Sequence, residues 1–304
     1  MRSIERRLAV LTAIAVLSAG PGRAVTEPPP DPIRLGLYEW MGTAPIVVAG
    51  NVVEDDAKFT RAVVSTSIKG ELAIGAVVEI DERKANRDRD DGAPALDLRN
   101  GKAYLFLLQR SNRGAKEPYP VFELTRGVQG ARLLPVEGSA ATIDAVVRLA
   151  EVQQRKNDDY VWTVLPDFLE DTNPILVDTA LDLYVKFRRE SLAIAPRLEP
   201  LLEAPRPEVR RKAAILLGRA LGRQGADAIP ERGTLVSALT GRARRDDDAA
   251  VRRAAAAALA NLPDAGIDET LRAVARDDAD QNVRFEAVKA LSERSQNAKT
   301  KRSD

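Results

Sequence analysis

Two ten-residue stretches near the C-terminus, Asp246-Asp-Asp-Ala-Ala-Val-Arg-Arg-Ala-Ala255 and Asp278-Ala-Asp-Gln-Asn-Val-Arg-Phe-Glu-Ala287, align position by position at a spacing of 32 residues. Two earlier stretches fall on the same template: Asp171-Thr-Asn-Pro-Ile-Leu-Val-Asp-Thr-Ala180 and Ala204-Pro-Arg-Pro-Glu-Val-Arg-Arg-Lys-Ala213. Asn173, Asp248 and Asp280 stand where an N-cap side chain accepts a backbone N–H, and Pro174 and Pro207 suit the first helical position. Each copy therefore starts a helix. Leu176, Val209, Val251 and Val283 open an apolar stripe, an alanine follows four residues on, and Tyr184, Leu217, Leu259 and Leu291 follow eight on, which is one helical face. A second amphipathic segment precedes each copy, at 160–170, 191–203, 234–245 and 268–277. The unit is a helical hairpin too small to bury its own apolar face, so successive hairpins must stack into an α-solenoid of about four repeats.

Upstream, the helical period gives way to short β-rich runs. Candidate strands are 45–53, 61–69, 73–80, 102–109 and 120–124, with a sixth at 131–135. In Lys102-Ala-Tyr104-Leu-Phe106-Leu-Leu108 apolar residues occupy both faces, the pattern of a strand walled in by the barrel interior on one side and another layer on the other. Five or six such strands in about a hundred residues suit a small antiparallel β-barrel, which leaves few edges to protect. A helix at 142–155 is expected to join barrel and array. The reading divides the chain into a leader at 1–24, a proline-rich spacer at 25–32, a barrel at 33–137, a solenoid at 138–294 and a disordered polar tail at 295–304.

The leader is read from Arg2, Arg6 and Arg7, the apolar run Leu8–Ala19 and the small-residue exit to Ala24, the three zones of a secretory signal peptide. Its core is too short to span a bilayer. Export to the periplasm or beyond is expected, with no membrane insertion after cleavage. Removing residues 1–24 changes the formal charge from +1 to −2, and the whole chain has 46 Lys and Arg against 45 Asp and Glu, so no general nucleic-acid binder is indicated. The chain contains no His and no Cys, which excludes a Ser-His-Asp triad, a thiol nucleophile and a Cys/His zinc centre. No cofactor and no enzymatic activity are expected.

The segments at 160–294 resemble HEAT repeats of the short type found in phycobilisome-lyase-like proteins, on the strength of Asp246…Val251-Arg252, Asp278…Val283-Arg284 and Val209-Arg210. The resemblance implies a structural ladder between neighbouring repeats, formed by Asp171, Arg210, Asp246, Arg252, Asp278 and Arg284; the first copy departs from it, with Val177 in place of the arginine. The strand runs Ala44-Pro-Ile-Val-Val-Ala-Gly50, Val63-Val-Ser-Thr-Ser-Ile-Lys69-Gly70 and Gly101-Lys-Ala-Tyr104-Leu-Phe-Leu107 resemble OB-like or netrin-module-like domains of secreted bacterial proteins. The inhibitors among these act through an N-terminal Cys that this chain lacks, so that activity does not carry over.

These features point to a non-catalytic, exported interaction scaffold that binds a protein partner. The alternatives are a module for glycans or cell-surface polymers and, more remotely, a hydrolase independent of His and Cys. The partner-binding residues expected on the exposed side of the second helices are Arg211, Arg253, Phe285 and Lys289. In Asn86-Arg-Asp88-Arg-Asp90-Asp91-Gly92 the acids alternate as in a calcium loop, with Asp97 at the twelfth position, but the glycine is one residue late and Arg87 and Arg89 offset the charge. Gly222–Gly233 accounts for the one repeat spacing of 42 residues and is expected to be a loop.

Overall fold

The computed structural model describes residues 36–55, 59–87, 95–112, 118–155 and 157–300. Contacts divide the chain between Met1–Asp31 and Pro32–Asp304, and everything described lies in the second unit. The leader and the spacer lie outside the described residues.

A small β-barrel is followed by a HEAT-like helical solenoid. The strands are β1 (Ile46–Asp55), β2 (Thr60–Lys69), β3 (Val77–Ile80), β4 (Ala103–Arg110), β5 (Val121–Leu124) and β6 (Ala131–Leu133). Pairing runs β1-β2-β3-β5-β4, and β4 returns to β1, which closes a five-stranded barrel with one parallel pair, β3–β5. This is the strand order of an OB barrel. β6 adds to β4 on the same edge that β5 uses further along. Closure needs β1 to bend so that it can serve both β2 and β4, and its register slips at three points. Gly50 permits the bend, since a Cβ there would sit 3.0 Å from the Val63 carbonyl oxygen.

The third strand begins at Val77 rather than Ala73. Gly75 adopts a left-handed conformation and its N–H donates to the Val64 carbonyl, so the residues before Val77 turn instead of extending. The sequence also conceals two short helices. α1 (Leu37–Thr43) precedes β1, and α2 (Glu82–Arg87) lies between β3 and β4.

The array comprises α3 (Ser139–Gln154), α4 (Asp158–Leu169), α5 (Pro174–Phe187), α6 (Ala195–Leu198), α7 (Pro207–Leu221), α8 (Arg232–Arg245), α9 (Ala249–Leu259), α10 (Ile267–Asp277) and α11 (Gln281–Thr300). Asn173, Asp248 and Asp280 each accept backbone N–H groups from the first turn of the helix they precede. The amphipathic segment at 191–203 is not one helix. Pro196 and Pro200 divide it into α6 flanked by 3-10 turns at Leu192–Ile194 and Pro200–Glu203, because a proline inside a helix lacks the N–H and crowds the preceding turn. The helix α11 continues to Thr300, into the residues expected to form a tail, and Ser295 donates back to the Leu291 carbonyl; Glu293 and Gln296 are competent helix formers.

Two apolar cores result. One fills the barrel with Val48, Ile80, Tyr104, Phe106, Leu108 and Phe122. The other runs without a break from the outside of the barrel, through α1 and α3, to Val283, Ala287 and Ala290 in α11. The strand β4 belongs to both, with Tyr104, Phe106 and Leu108 turned inward and Leu105 and Leu107 turned toward the helices.

Candidate interaction surface

The turns that open α5, α9 and α11 share one geometry. Asp171, Asp246 and Asp278 stand two residues ahead of the N-caps and accept the N–H groups of Asn173, Asp248 and Asp280 at 2.7, 3.0 and 2.9 Å. Each is also met by a guanidinium from the preceding hairpin or helix. Arg210 of α7 donates through Nε and Nη2 to Asp246 at 2.9 and 2.8 Å, and Arg252 of α9 does the same to Asp278 at 2.8 and 3.0 Å. The remaining Nη1 turns back to the carbonyls of its own turn, at Ala204 and Pro205 for Arg210 and at Asp246 and Asp247 for Arg252. These bidentate pairs lock consecutive hairpins in register.

Electrostatics follows the geometry. The Arg252 guanidinium holds the Asp278 carboxyl below its ordinary range. At Asp246 burial pushes the carboxyl up, but hydrogen bonds from Arg210 and from the Asp248 N–H outweigh it and the net shift is downward. Arg284 of α11 repeats the inward half of the pattern, donating through Nη1 to the Asp278 and Ala279 carbonyls at 2.7 and 3.0 Å.

The first rung differs in a way the repeat pattern did not show. Asp171 is paired by Arg148 of α3 at 2.7 Å, from a helix outside the four aligned copies. Between the first and second copies both partners of the rung are missing together, since Val177 replaces the arginine and Ala204 replaces the aspartate that it would meet. No charge is stranded by this double loss. Arg206 to Asp178 at 2.6 Å, and a pair between buried Lys212 and Asp182, tie α5 to α7 instead.

On the exposed side of the second helices, the four expected partner-binding residues have different surroundings. Arg211 is held by Glu208 through two hydrogen bonds of 2.9 and 2.7 Å, and Lys289 lies 3.2 Å from Glu286 and 3.9 Å from Glu293. Their charges are largely answered. Arg253 is exposed, and among the described residues no carboxylate pairs with it; Phe285 is 69% exposed. One helical turn beyond Arg211 and Arg253 lies a cleft of about 450 Å³ between α7 and α9. Ile215, Gly218, Ala257 and Ala258 line it, with Arg188 and Arg223 at its margin. Arg219 contributes there too but is bound to the buried Glu190 at 2.8 Å. At the cleft Gly218 lets the two helices approach closely: a Cβ at that position would lie 2.4 Å from the Ala258 Cβ. A glycine inside a strongly patterned helix was the available sequence signal for it.

In the barrel, Tyr104 and Phe106 stack on each other at 5.7 Å and are buried, so neither offers a platform to a nucleobase. Asp88 and Asp90 of the calcium-like loop lie outside the described residues. Asp97 is exposed and paired with Arg99 at 3.0 Å, and among the described residues no group of three or more acids could hold a metal ion. The segment Gly222–Gly233 is more than a plain loop. It contains a 3-10 turn at Ala226–Ala228, buries Ala226, and ends as α8 begins with Arg232, whose guanidinium binds the Leu221 carbonyl and Asp264. Among the described residues no helix is long and apolar enough to cross a membrane.

Residues 236–302 match the family of HEAT repeats. No curated protein and no solved structure matches the chain.

Proposed function

We propose that the protein is a non-catalytic interaction scaffold, exported by cleavage after Ala24, whose barrel (33–137) anchors a short-type HEAT array (138–294) of the phycobilisome-lyase-like kind. The array's second-helix face receives a protein partner. The observation that carries this reading is the cleft between α7 and α9: Ile215, Ala257 and Ala258 beside Arg188, Arg223 and Asn261, one turn from the unanswered charge of Arg253, on a frame held by bidentate pairs. Such a site suits an acidic segment with an apolar anchor, because cations steer the encounter while the desolvated apolar contact supplies more of the affinity. Arg253, one turn before the cleft on α9, and Phe285, at the same repeat position on α11, are the accessible contacts, while Arg211 and Lys289 would have to give up their acids first.

A photo-crosslinking residue at position 253 or 285, followed by mass spectrometry on material from the native compartment, tests this. One partner crosslinked at both positions, and lost in Arg211→Glu/Arg253→Glu with the helical spectrum unchanged, is the expected result. A partner that crosslinks instead through the barrel and ignores the double variant would overturn it.

A further inference from the structure

The array states in its own repeats what belongs on the outer side of α11. Arg210, Ala214 and Gly218 of α7 face α9 and are buried. Their counterparts are Arg252 and Ala256 in α9 and Ala260 at its C-cap; the two alanines are buried and Arg252 is bound to Asp278 in the turn that opens α11. The same three positions in α11 are Arg284, Val288 and Ser292. Here Val288 is 55% exposed, Ser292 is exposed, and among the described residues no carboxylate forms an ion pair with Arg284, whose charge reaches the Asp278 carboxyl only at a distance. Its Nη1 already holds the carbonyls of its own turn, so the guanidinium is set in the orientation that Arg210 and Arg252 use to read the following hairpin.

We infer that this side of α11 is an open repeat interface that takes a helical hairpin from a partner protein, one presenting an aspartate two residues ahead of a helix N-cap. The chemistry is fixed by the two filled rungs. In each, the carboxylate accepts from both the guanidinium and the N–H two residues on, and the following helix buries small apolar residues, Val251 and Ala255 in α9 and Val283 and Ala287 in α11. A head-to-tail second copy does not satisfy these requirements, because the aspartate at the other end of the array, Asp171, is already paired with Arg148. The α7–α9 cleft plays no part, so the two surfaces stand or fall separately.

The probe is a labelled synthetic peptide of residues 264–300, a hairpin of the required kind whose Asp278 is free of Arg252. The full chain should bind it saturably. Arg284→Ala in the chain, or Asp278→Asn in the peptide, should each weaken binding at least about tenfold, with no further loss when combined, and Arg253→Glu should leave it unchanged. Folding of the isolated peptide is bypassed by a second variant in which residues 264–300 are repeated after Thr300. In that chain the amides of Val288 and Leu291 should exchange at least about tenfold more slowly, an effect lost when the added copy carries Asp278→Asn. Either result supports the interface. Peptide binding indifferent to Arg284→Ala overturns it, as does failure of the peptide together with unchanged exchange in the extended chain. A native chain that sediments as a dimer and becomes monomeric on Val288→Asp would assign the face to a second copy and equally overturn the proposal.

Discussion

Replacing Asp246 by asparagine keeps the shape of the side chain and removes its charge at the most enclosed rung of the ladder. The Asp246 side chain is fully buried and that of Arg210 is 7% exposed, so the guanidinium left behind cannot turn to water. It retains the Ala204 and Pro205 carbonyls and one contact with the exposed Asp247, which soften the loss. Removing one partner of a buried pair costs about 3–5 kcal/mol, and with those residual acceptors the expected cost is about 3 kcal/mol. At roughly 2 °C per kcal/mol for a chain of this size, Tm should fall by about 6 °C. Repeat arrays can melt in stages, so urea titration followed by circular dichroism is best read beside amide exchange in α7 and α9. Asp171→Asn is the internal control. Its partner Arg148 is 37% exposed, and the change should cost about 1 kcal/mol or less. A double-mutant cycle with Arg210→Ala should return a coupling of at least about 1.5 kcal/mol. Equal costs at Asp246 and Asp171, or a coupling below about 0.5 kcal/mol, would refute the claim that burial makes this rung the strong one.

Three further outcomes follow from the structure. Gly218→Ala gains helix propensity but drives a methyl into the Ala258 backbone, so the urea midpoint should fall by the equivalent of about 1–2 kcal/mol, whereas Gly241→Ala in α8, with open space around it, should raise stability by about 0.5–1 kcal/mol; matching signs would count against the close contact. The carboxyls of Asp171, Asp246 and Asp278 are all held below their ordinary 3.8, so the stability they contribute is complete above that pH and drains away as the pH falls below it; Asp278→Asn should flatten the acid limb of a stability–pH curve, and an unchanged limb would contradict the assignment. N-terminal sequencing of protein recovered outside the cytoplasm should begin at Val25, and an intact Met1 there would sink the export reading.

Period and capping made much of this legible. Proline and the Asp/Asn caps marked the starts of α5, α7, α9 and α11 to within a residue or two, and the doubly apolar run 102–108 identified the strand that both cores share. What escaped the sequence is of another kind. In α1, seven residues with two buried apolar positions, Leu37 and Met41, are too short for a period to register. Arg148 completes a rung from a helix whose sequence does not belong to the repeat, so only packing reveals it. Arg211 and Lys289 carry neutralising acids three or four residues away on the same helix, a pairing that the period of the exposed face does not register. The open side of α11 was harder still, since it is visible only when burial at equivalent positions is compared along the array.

The placement of β4 in two cores has a thermal consequence. A strand with Leu105 and Leu107 on the helices and Phe106 and Leu108 in the barrel cannot be released on one side alone. Barrel, α1 and α3 should therefore lose heat capacity contrast together, as one calorimetric transition, although the sequence divides there into a β segment and an α segment. The distal hairpins, joined to their neighbours by rungs and stripes, form a second enthalpic block that can melt ahead of the first. In a calorimetric trace the boundary between melting units would then fall within the helical array, beyond the point where β gives way to α along the chain.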